Sequence, residues 1–378
     1  MTSASPRFSA VRTRALSLPL HSPFVTSLRS ARTVESLLVE VDTTDGRRGR
    51  GESPQVWQVT GESVAGAASC VEQILTAVIV DRPCSLWRQV CDDVQGAVAR
   101  NFGAKSAVET AICEIVAMGA GVTMAWVLAG GDGEAEAAYA PSTSSLGGTA
   151  GLRSVPTDVT ISAGDPAAMA AAAASRRSAG FSHFKMKVGA DLDTDLARVR
   201  AVRSAIGDLG LRLDANQAWA PVVAVEIIAA LDAQGLGVEF VEQPVAAHDV
   251  EGLAWVRARS PVPIIADESV FTMADLERVI AAEAADGVNV KLAKCGGPLR
   301  AMEQVRRAHE AGLATMVGSM MEGAVGVGAA TEVALAGECS LVNDLDAAWW
   351  LAELKGAGLS YAEGCVVLDL GHRPDARR

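Results

Sequence analysis

From Asp158 onward, short apolar runs alternate with longer amphipathic stretches. The apolar runs begin near Val159, Phe184, Leu211, Phe240, Ile264, Val288, Thr315 and Leu341. Between them, helical patterning covers 167–178, 192–206, 222–234, 250–259, 273–282, 299–311 and 325–336. The repeat is about 26 residues, the length of one strand, one helix and two loops. The units share almost no sequence, so the repeat is architectural. An open doubly wound sheet would also alternate, but eight evenly spaced runs favour closure. The expected fold is α/β, a (β/α)7-8 TIM-like barrel spanning 136–355.

The first third is patterned differently. Two β-like runs cover 8–20 and 34–41, with a turn at Asp45-Gly46. Between them, 21–32 reads as a polar loop containing Pro23. Helical patterning follows over 61–98, interrupted at Pro83, and over 104–128, ending in Gly130-Gly131. These elements make an α+β module over 1–135, whose first six residues are expected to be disordered. After Gly356 the chain turns polar and then β-like over 365–370, so 356–378 is expected to pack back on the N-terminal module.

Composition narrows the function classes. A chain of 378 residues, 49% apolar and 21% charged, suits a globular protein with a large core. A formal net charge of −12 argues against nucleic acid or an anionic membrane as partner. The seven cysteines (70, 84, 91, 113, 295, 339 and 365) form no CxxC pair, which fits a reducing cytoplasm. No secretory h-region is evident, and the longest apolar run, 167–174, is too short to span a bilayer.

The candidate chemistry sits at the ends of the apolar runs. Asp214, Glu242 and Asp267 each end one, 28 and 25 residues apart. Lys185 and Lys187 lie one unit earlier, Lys291 and Lys294 one unit later. Consecutive strand ends of a βα barrel converge on one mouth, which places three carboxylates between two sets of lysines. Three hard oxygen ligands suit one Mg²⁺ per site, with Mn²⁺ as a substitute. Each acidic residue taken alone also suits a helix N-cap, but three in successive units point to a shared role. Lys185 and Lys187 share a strand face, and two neighbouring ammonium groups should lower one another's pKa toward a general base. Lys291 is the inward candidate of the second pair, with Lys294 in the following loop. Asn216 shares the face of Asp214. Glu268 should point away from Asp267 if the strand persists, but that rule fails at a strand end, which makes Glu268 a candidate for a supporting role. Asp344 and Asp346, two apart, would hold an ammonium group. Arg29 and Arg32 are candidates for an anionic group, and Glu322 for a supporting role.

A substrate carboxylate on the metal puts its α-carbon between Lys187 and Lys291. Proton removal gives an enediolate that a divalent ion stabilises. Return of the proton on the opposite face makes a racemase or epimerase, while loss of a β-leaving group makes a dehydratase or cycloisomerase.

The runs Lys185-Met-Lys187, Leu213-Asp-Ala-Asn-Gln-Ala-Trp219, Val241-Glu-Gln-Pro244, Ala266-Asp-Glu-Ser269 and Lys291-Leu-Ala-Lys-Cys-Gly-Gly297 occur in that order. In them the chain resembles the enolase superfamily, muconate-lactonizing enzyme subgroup, and most of all its dipeptide epimerases. The resemblance covers nearly the whole chain. It implies that the N-terminal module is a capping domain, with a lid at about 21–32 and 55–63. It also implies that Asp344-Leu-Asp346 receives the substrate's α-ammonium and that Arg29 meets an acidic side chain. By this likeness Lys187 and Lys291 are catalytic, Asp214, Glu242 and Asp267 hold metal, and Arg29, Lys185, Asn216, Asp344 and Asp346 contact substrate. The implied protein is a cytoplasmic, Mg²⁺-dependent dipeptide epimerase and a homo-oligomer, with a small-molecule substrate. N-acylamino-acid racemization, hydroxyproline dehydration, cycloisomerization and a non-catalytic ligand-binding barrel are the alternatives. The chain departs from the family pattern at Ala347-Ala-Trp349-Trp350, at Ser319-Met-Met-Glu-Gly323 and at Val56-Trp57-Gln58.

Overall fold

A computed structural model describes residues 5–26, 29–131, 152–354 and 358–369. Most of the segment expected to be disordered at the N-terminus, the 135/136 boundary and the chain's last nine residues lie outside these ranges. The N-terminal module is an antiparallel meander of β1 (Phe8–Val25), β2 (Ser30–Thr43) and β3 (Arg48–Pro54), backed by helices. The long helix Phe102–Ala120 lies directly on β3. A Cβ at Gly49 would stand 1.9 Å from the Ala111 carbonyl oxygen, and one at Gly51 1.9 Å from that of Ala107. Only glycine admits this approach. Gly121, at φ +72°, breaks the expected single helical stretch into Phe102–Ala120 and Met124–Ala129.

The polar segment expected as a loop over 21–32 is mostly strand. β1 continues through His21 to Val25 and pairs with β2 down to Val25↔Ser30, with a register shift between Pro19 and Phe24. β1 is the edge strand, where proline removes no needed hydrogen bond. The alternating exposure of its side chains made the segment read as polar.

The seven strands β5 (Val159–Ile161), β6 (His183–Lys187), β7 (Gly210–Asp214), β8 (Val238–Glu242), β9 (Ile264–Ala266), β10 (Gly287–Lys291) and β11 (Ala314–Gly318) form one parallel sheet in sequence order, preceded by β4 (Leu152–Pro156) in a separate sheet. The eighth run is reduced to two parallel bridges, Gly318↔Asp344 and Thr157↔Asn343. Those bridges hydrogen-bond Asp344 N to Val317 O (3.0 Å) and Asp158 N to Asn343 O (2.9 Å), closing the ring.

Strand alternation sorts the residues. Phe184, Met186, Leu211, Leu213, Val288, Val290 and Val317 are buried in the main core with the surrounding helices. On the other strand face, Phe240, Ile265 and Met316 form a separate small apolar cluster. Full burial of each such aliphatic side chain stabilises by roughly 1.5–3 kcal/mol. Two residues past Phe240 on the same strand face stands Glu242.

The C-terminal strands β12 (Leu359–Ala362) and β13 (Cys365–Asp369) form, but β13 pairs with β4 rather than with the sheet of the N-terminal module. Among the described residues no helix is long and apolar enough to cross a membrane.

Candidate active site

Strand register puts the charged residues on one ring. Lys187 pairs with Asp214, Asp214 with Glu242, Lys291 with Gly318, and Gly318 with Asp344. Counting around the closed ring, Asp214, Glu242 and Asp267 occupy one arc between Lys187 and Lys291. Asp344 and Asp346 occupy the opposite arc. The two lysines are four positions apart in a ring of eight, hence across from one another.

All of these side chains are almost fully buried, and both lysines are met by carboxylates. Lys187 Nζ donates to Asp214 Oδ2 at 2.5 Å and Lys291 Nζ to Asp267 Oδ2 at 2.7 Å. Lys185 is ion-paired with Asp344 and lies 3.9 Å from Glu242 Oε2. Burial pulls the Lys185 ammonium down, but Asp344, Glu242, Asp158 and Asp214 together outweigh it and hold it well above the ordinary lysine value. Lys291 is also raised against burial, by Asp267, Asp344 and Glu242. The expected mutual lowering within the Lys185/Lys187 pair is therefore not what governs Lys185, because carboxylates crowd it more closely than its neighbour does.

Asp267 shows the reverse balance. Burial raises it, yet Lys291 and Lys294 hold its carboxyl well below the usual range. Lys294, expected in a loop, sits in the short helix Leu292–Cys295 and is 1% exposed. Its ammonium reaches Asp267 Oδ1 at 2.5 Å and Asn289 O at 3.0 Å. Glu268 was expected to point away only if the strand persisted. β9 ends at Ala266, so strand alternation stops before Asp267, and both acidic residues line the pocket. Burial, with Asp267 and Asp214 beside it, pushes Glu268 up to about 7.

The site has acceptor oxygens to spare. Asn216 Oδ1, Glu242 Oε2 and Glu268 Oε2 are buried without a hydrogen-bond partner. An orphaned buried carboxylate oxygen costs about 1–3 kcal/mol or more unless a cation or donor meets it. Asp214, Glu242, Glu268 and Asp267 thus make a hard-oxygen arc that fits a divalent metal. Among the described residues, the carboxylates with oxygens mutually within 4.8 Å are instead Asp158, Asp344 and Asp346. Of that cluster Asp344 is ion-paired with Lys185, and Asp214 and Asp267 are turned toward their own lysines. Burial and Asp344 push Asp158 up to about 7.

Two residues escaped the sequence reading. Asn289, on the face of Lys291, donates to Glu242 Oε1 at 2.7 Å and Asp344 Oδ2 at 3.2 Å; period-two alternation from Lys291 would have found it. Gln243 is fully buried at φ +37° and ties Asp267 N (3.0 Å) to Ser269 Oγ (2.8 Å). Asn216 and Gln217 also have positive φ, and the turn aims Asn216 N–H at Asp214 Oδ1 (2.9 Å). Such backbone conformations concentrate at functional sites.

A pocket opens above the ring. Its roof comes from the N-terminal module, with Phe24, Thr26, Arg29, Val56, Gln58 and Val59, and its side from Met320 and Met321. Arg29 lines it, burial lowers its pKa, and among the described residues no carboxylate pairs with it. Arg32 is exposed on β2 and does not line the cavity. Glu322 also lies outside it, accepting from Met320 N at 3.1 Å and raised well above the carboxylate range by burial and Glu52. Trp57 is 58% exposed, while Trp349 and Trp350 stack on Arg176 instead of facing the cavity.

Comparison with known proteins agrees with this architecture. Residues 9–128 match the mandelate racemase/muconate lactonizing enzyme N-terminal domain, and 168–374 match the enolase C-terminal domain-like family. The L-Ala-D/L-Glu epimerase of Bacillus subtilis is 34% identical over 94% of this chain and 93% of its own length. Its substrate-liganded structure superposes with a TM-score of 0.88, covering 96% of both chains at 32% identity. A dipeptide epimerase of Enterococcus faecalis, complexed with Mg and L-Leu-L-Tyr, gives a TM-score of 0.84 at 30% identity over 98% of this chain and 99% of that one. With both domains matched in order along nearly its whole length, the chain belongs to the mandelate racemase/muconate lactonizing enzyme family of the enolase superfamily.

Proposed function

We propose that this protein is an Mg²⁺-dependent dipeptide epimerase acting on the α-carbon of the C-terminal residue. The observation that carries the reading is the ring order: an arc of metal-type carboxylates, two lysines across from one another, and an arc of aspartates opposite the first. We assign Asp214, Glu242 and Asp267 to the metal, with Glu268 beside them. A bound divalent cation would supply the positive charge that stabilises the enediolate, and would draw carboxylates away from the lysines.

This chain's own residues do the proton work. The substrate carboxylate is directed to the acidic arc and the ammonium to Asp344 and Asp346, so the α-carbon lies between Lys187 Nζ and Lys291 Nζ. One lysine removes the α-proton and the other delivers a proton to the opposite face, inverting the centre. Lys185 and Asn216 hold the substrate end groups, and the cavity roof excludes water. Arg29, a half-buried guanidinium among apolar walls, supports an acidic group on the C-terminal side chain. Seven free cysteines support a reducing cytoplasm as its compartment.

The test is incubation of a mixed L,L-dipeptide library with enzyme and Mg²⁺ in D₂O, read by mass spectrometry. A gain of one mass unit on particular dipeptides is expected, strongest for acidic C-terminal residues. No exchange on any dipeptide, with metal demonstrably bound, would sink the reading.

A further inference from the structure

The two aspartates of the eighth position are not equivalent. Asp344 Oδ2 already receives the Lys185 ammonium, lies 3.6 Å from Lys291 Nζ and accepts from Asn289 Nδ2 at 3.2 Å. Its negative charge is met chiefly by the Lys185 ammonium. Asp346 Oδ2 receives only neutral donors, Thr160 N at 2.7 Å and the Trp350 indole Nε1 at 2.9 Å. Among the described residues no lysine or arginine forms an ion pair with Asp346, and Arg176 reaches it only at longer range. Both bonds fall on one oxygen, Oδ2, and Asp346 lines the cavity.

Trp350 is built to hold this geometry. The 3₁₀ turn Ala347–Trp350 follows Asp346 directly, and small buried Ala347 and Ala348 let the chain fold back beneath the carboxylate. The indole is 1% exposed. It packs edge-to-face on Phe24 (5.1 Å) and Trp349 (5.6 Å), lies parallel to His21 (5.5 Å), and carries the Arg176 guanidinium 4.8 Å from its centre. His21 and Phe24 belong to β1, so the docked N-terminal module braces the ring that orients Asp346.

We propose that Asp346 is the principal acceptor of the substrate ammonium and that Trp350 is its positioning residue, with Asp344 engaged mainly by Lys185. A carboxylate held by neutral N–H groups keeps its full charge for an incoming cation, whereas one already paired offers less. The inference rests on the epimerase reading and decides which carboxylate carries the cation.

The experiment compares Asp346→Asn, Asp344→Asn, Trp350→Phe, Trp349→Phe and the double variant Trp350→Phe/Asp346→Asn. KM and kcat are measured on a free-amine dipeptide, and α-deuterium exchange on its N-acetyl analogue at high concentration. Asp346→Asn should raise KM for the free amine about 10- to 100-fold, the worth of a charge-assisted bond. Exchange on the N-acetyl compound, which has no ammonium, should fall less than exchange on the free amine. Trp350→Phe keeps most of the packing and loses the N–H, so KM should rise about 3- to 10-fold at nearly constant kcat. Trp349→Phe disturbs the same aromatic cluster without touching Asp346 and should leave KM unchanged. In the Asp346→Asn background, Trp350→Phe should add nothing further.

An Asp344→Asn effect on free-amine KM equal to or larger than that of Asp346→Asn would overturn the proposal. So would equal effects of the two tryptophan variants. Should Trp350→Phe not fold, the two aspartate variants still decide the matter. A wild-type enzyme that exchanges no free-amine dipeptide refutes the epimerase reading itself. Turnover with KM unmoved in Asp346→Asn refutes this inference alone.

Discussion

At the scale of single residues, the proposed chemistry depends on two ammonium groups that carboxylates hold. Lys187 and Lys291 occupy facing positions, each within 2.7 Å of one acidic partner. If each serves one face of the α-carbon, their loss should be asymmetric. Lys187→Ala and Lys291→Ala should each reduce epimerization by about 10²–10⁴-fold, the usual worth of a positioned acid or base. Each variant should still wash deuterium into one epimer of the substrate and not the other, with opposite preferences. Measuring exchange separately on L,L- and L,D-dipeptides checks this. Full exchange on both epimers in either variant would show that one base suffices. Lys294 behaves differently: its ammonium is bound to Asp267 and to two backbone carbonyls, so Lys294→Ala should weaken metal affinity before proton transfer. Titration of Mg²⁺ by calorimetry reads that directly.

At the scale of elements, the two domains are joined by side chains that cap helices across the seam. Glu52, on β3, accepts from Gly323 N at 2.6 Å and Gly326 N at 3.1 Å, at the start of the barrel helix Ala324–Gly337. It also accepts from Ser36 Oγ at 2.6 Å. Glu52→Ala would leave these donors buried and unmet, so stability should fall by about 2–4 kcal/mol in urea denaturation with little change in slope. A loss under about 0.5 kcal/mol would mean that water replaces the carboxylate. Such contacts explain what the sequence could and could not reveal. Barrel strands and helices follow local periodicity, and the runs from Val159 to Thr315 emerged as strands close to where they were expected. The placement of the acidic arc was legible because parallel register carries strand ends to one ring. Three features depend on nonlocal geometry instead. The eighth strand survives only as bridges, β1 extends through Pro23 because it is an edge, and Lys294 turns inward on a helix of four residues. The spacing of Lys291 and Lys294, three apart, was the one local hint of that helix. Nothing local marks Gln243, whose role depends on Ser269 in the turn after the next strand.

At the scale of the whole molecule, buried acids should make stability fall as pH rises through the neutral range. Glu109, on the helix Phe102–Ala120, is fully buried at the domain seam, accepting from Leu299 N at 2.8 Å and Gln95 Nε2 at 3.0 Å. Burial pushes it from 4.5 to about 7, against the opposing pull of Arg300. In the unfolded chain the proton leaves near 4.5, while in the folded protein it stays until about 7. The folded state therefore binds more protons between those values, and stability is lost progressively as pH rises across them. The most this one group contributes is about 3 kcal/mol. Glu52 and Glu322 are also raised by burial and act in the same direction. Asp267 and Asp344 are lowered; their contribution is complete above the ordinary carboxylate value and is lost only in stronger acid, outside this window. With chelator present, the melting temperature should thus decline from pH 5 to pH 8. Glu109→Gln keeps an acceptor for Leu299 and gives up the bond to Gln95, so the informative quantity is the slope, which should flatten. A melting temperature that climbs over this interval, or a Glu109→Gln slope equal to that of the wild type, would show that Arg300 keeps Glu109 ionised throughout.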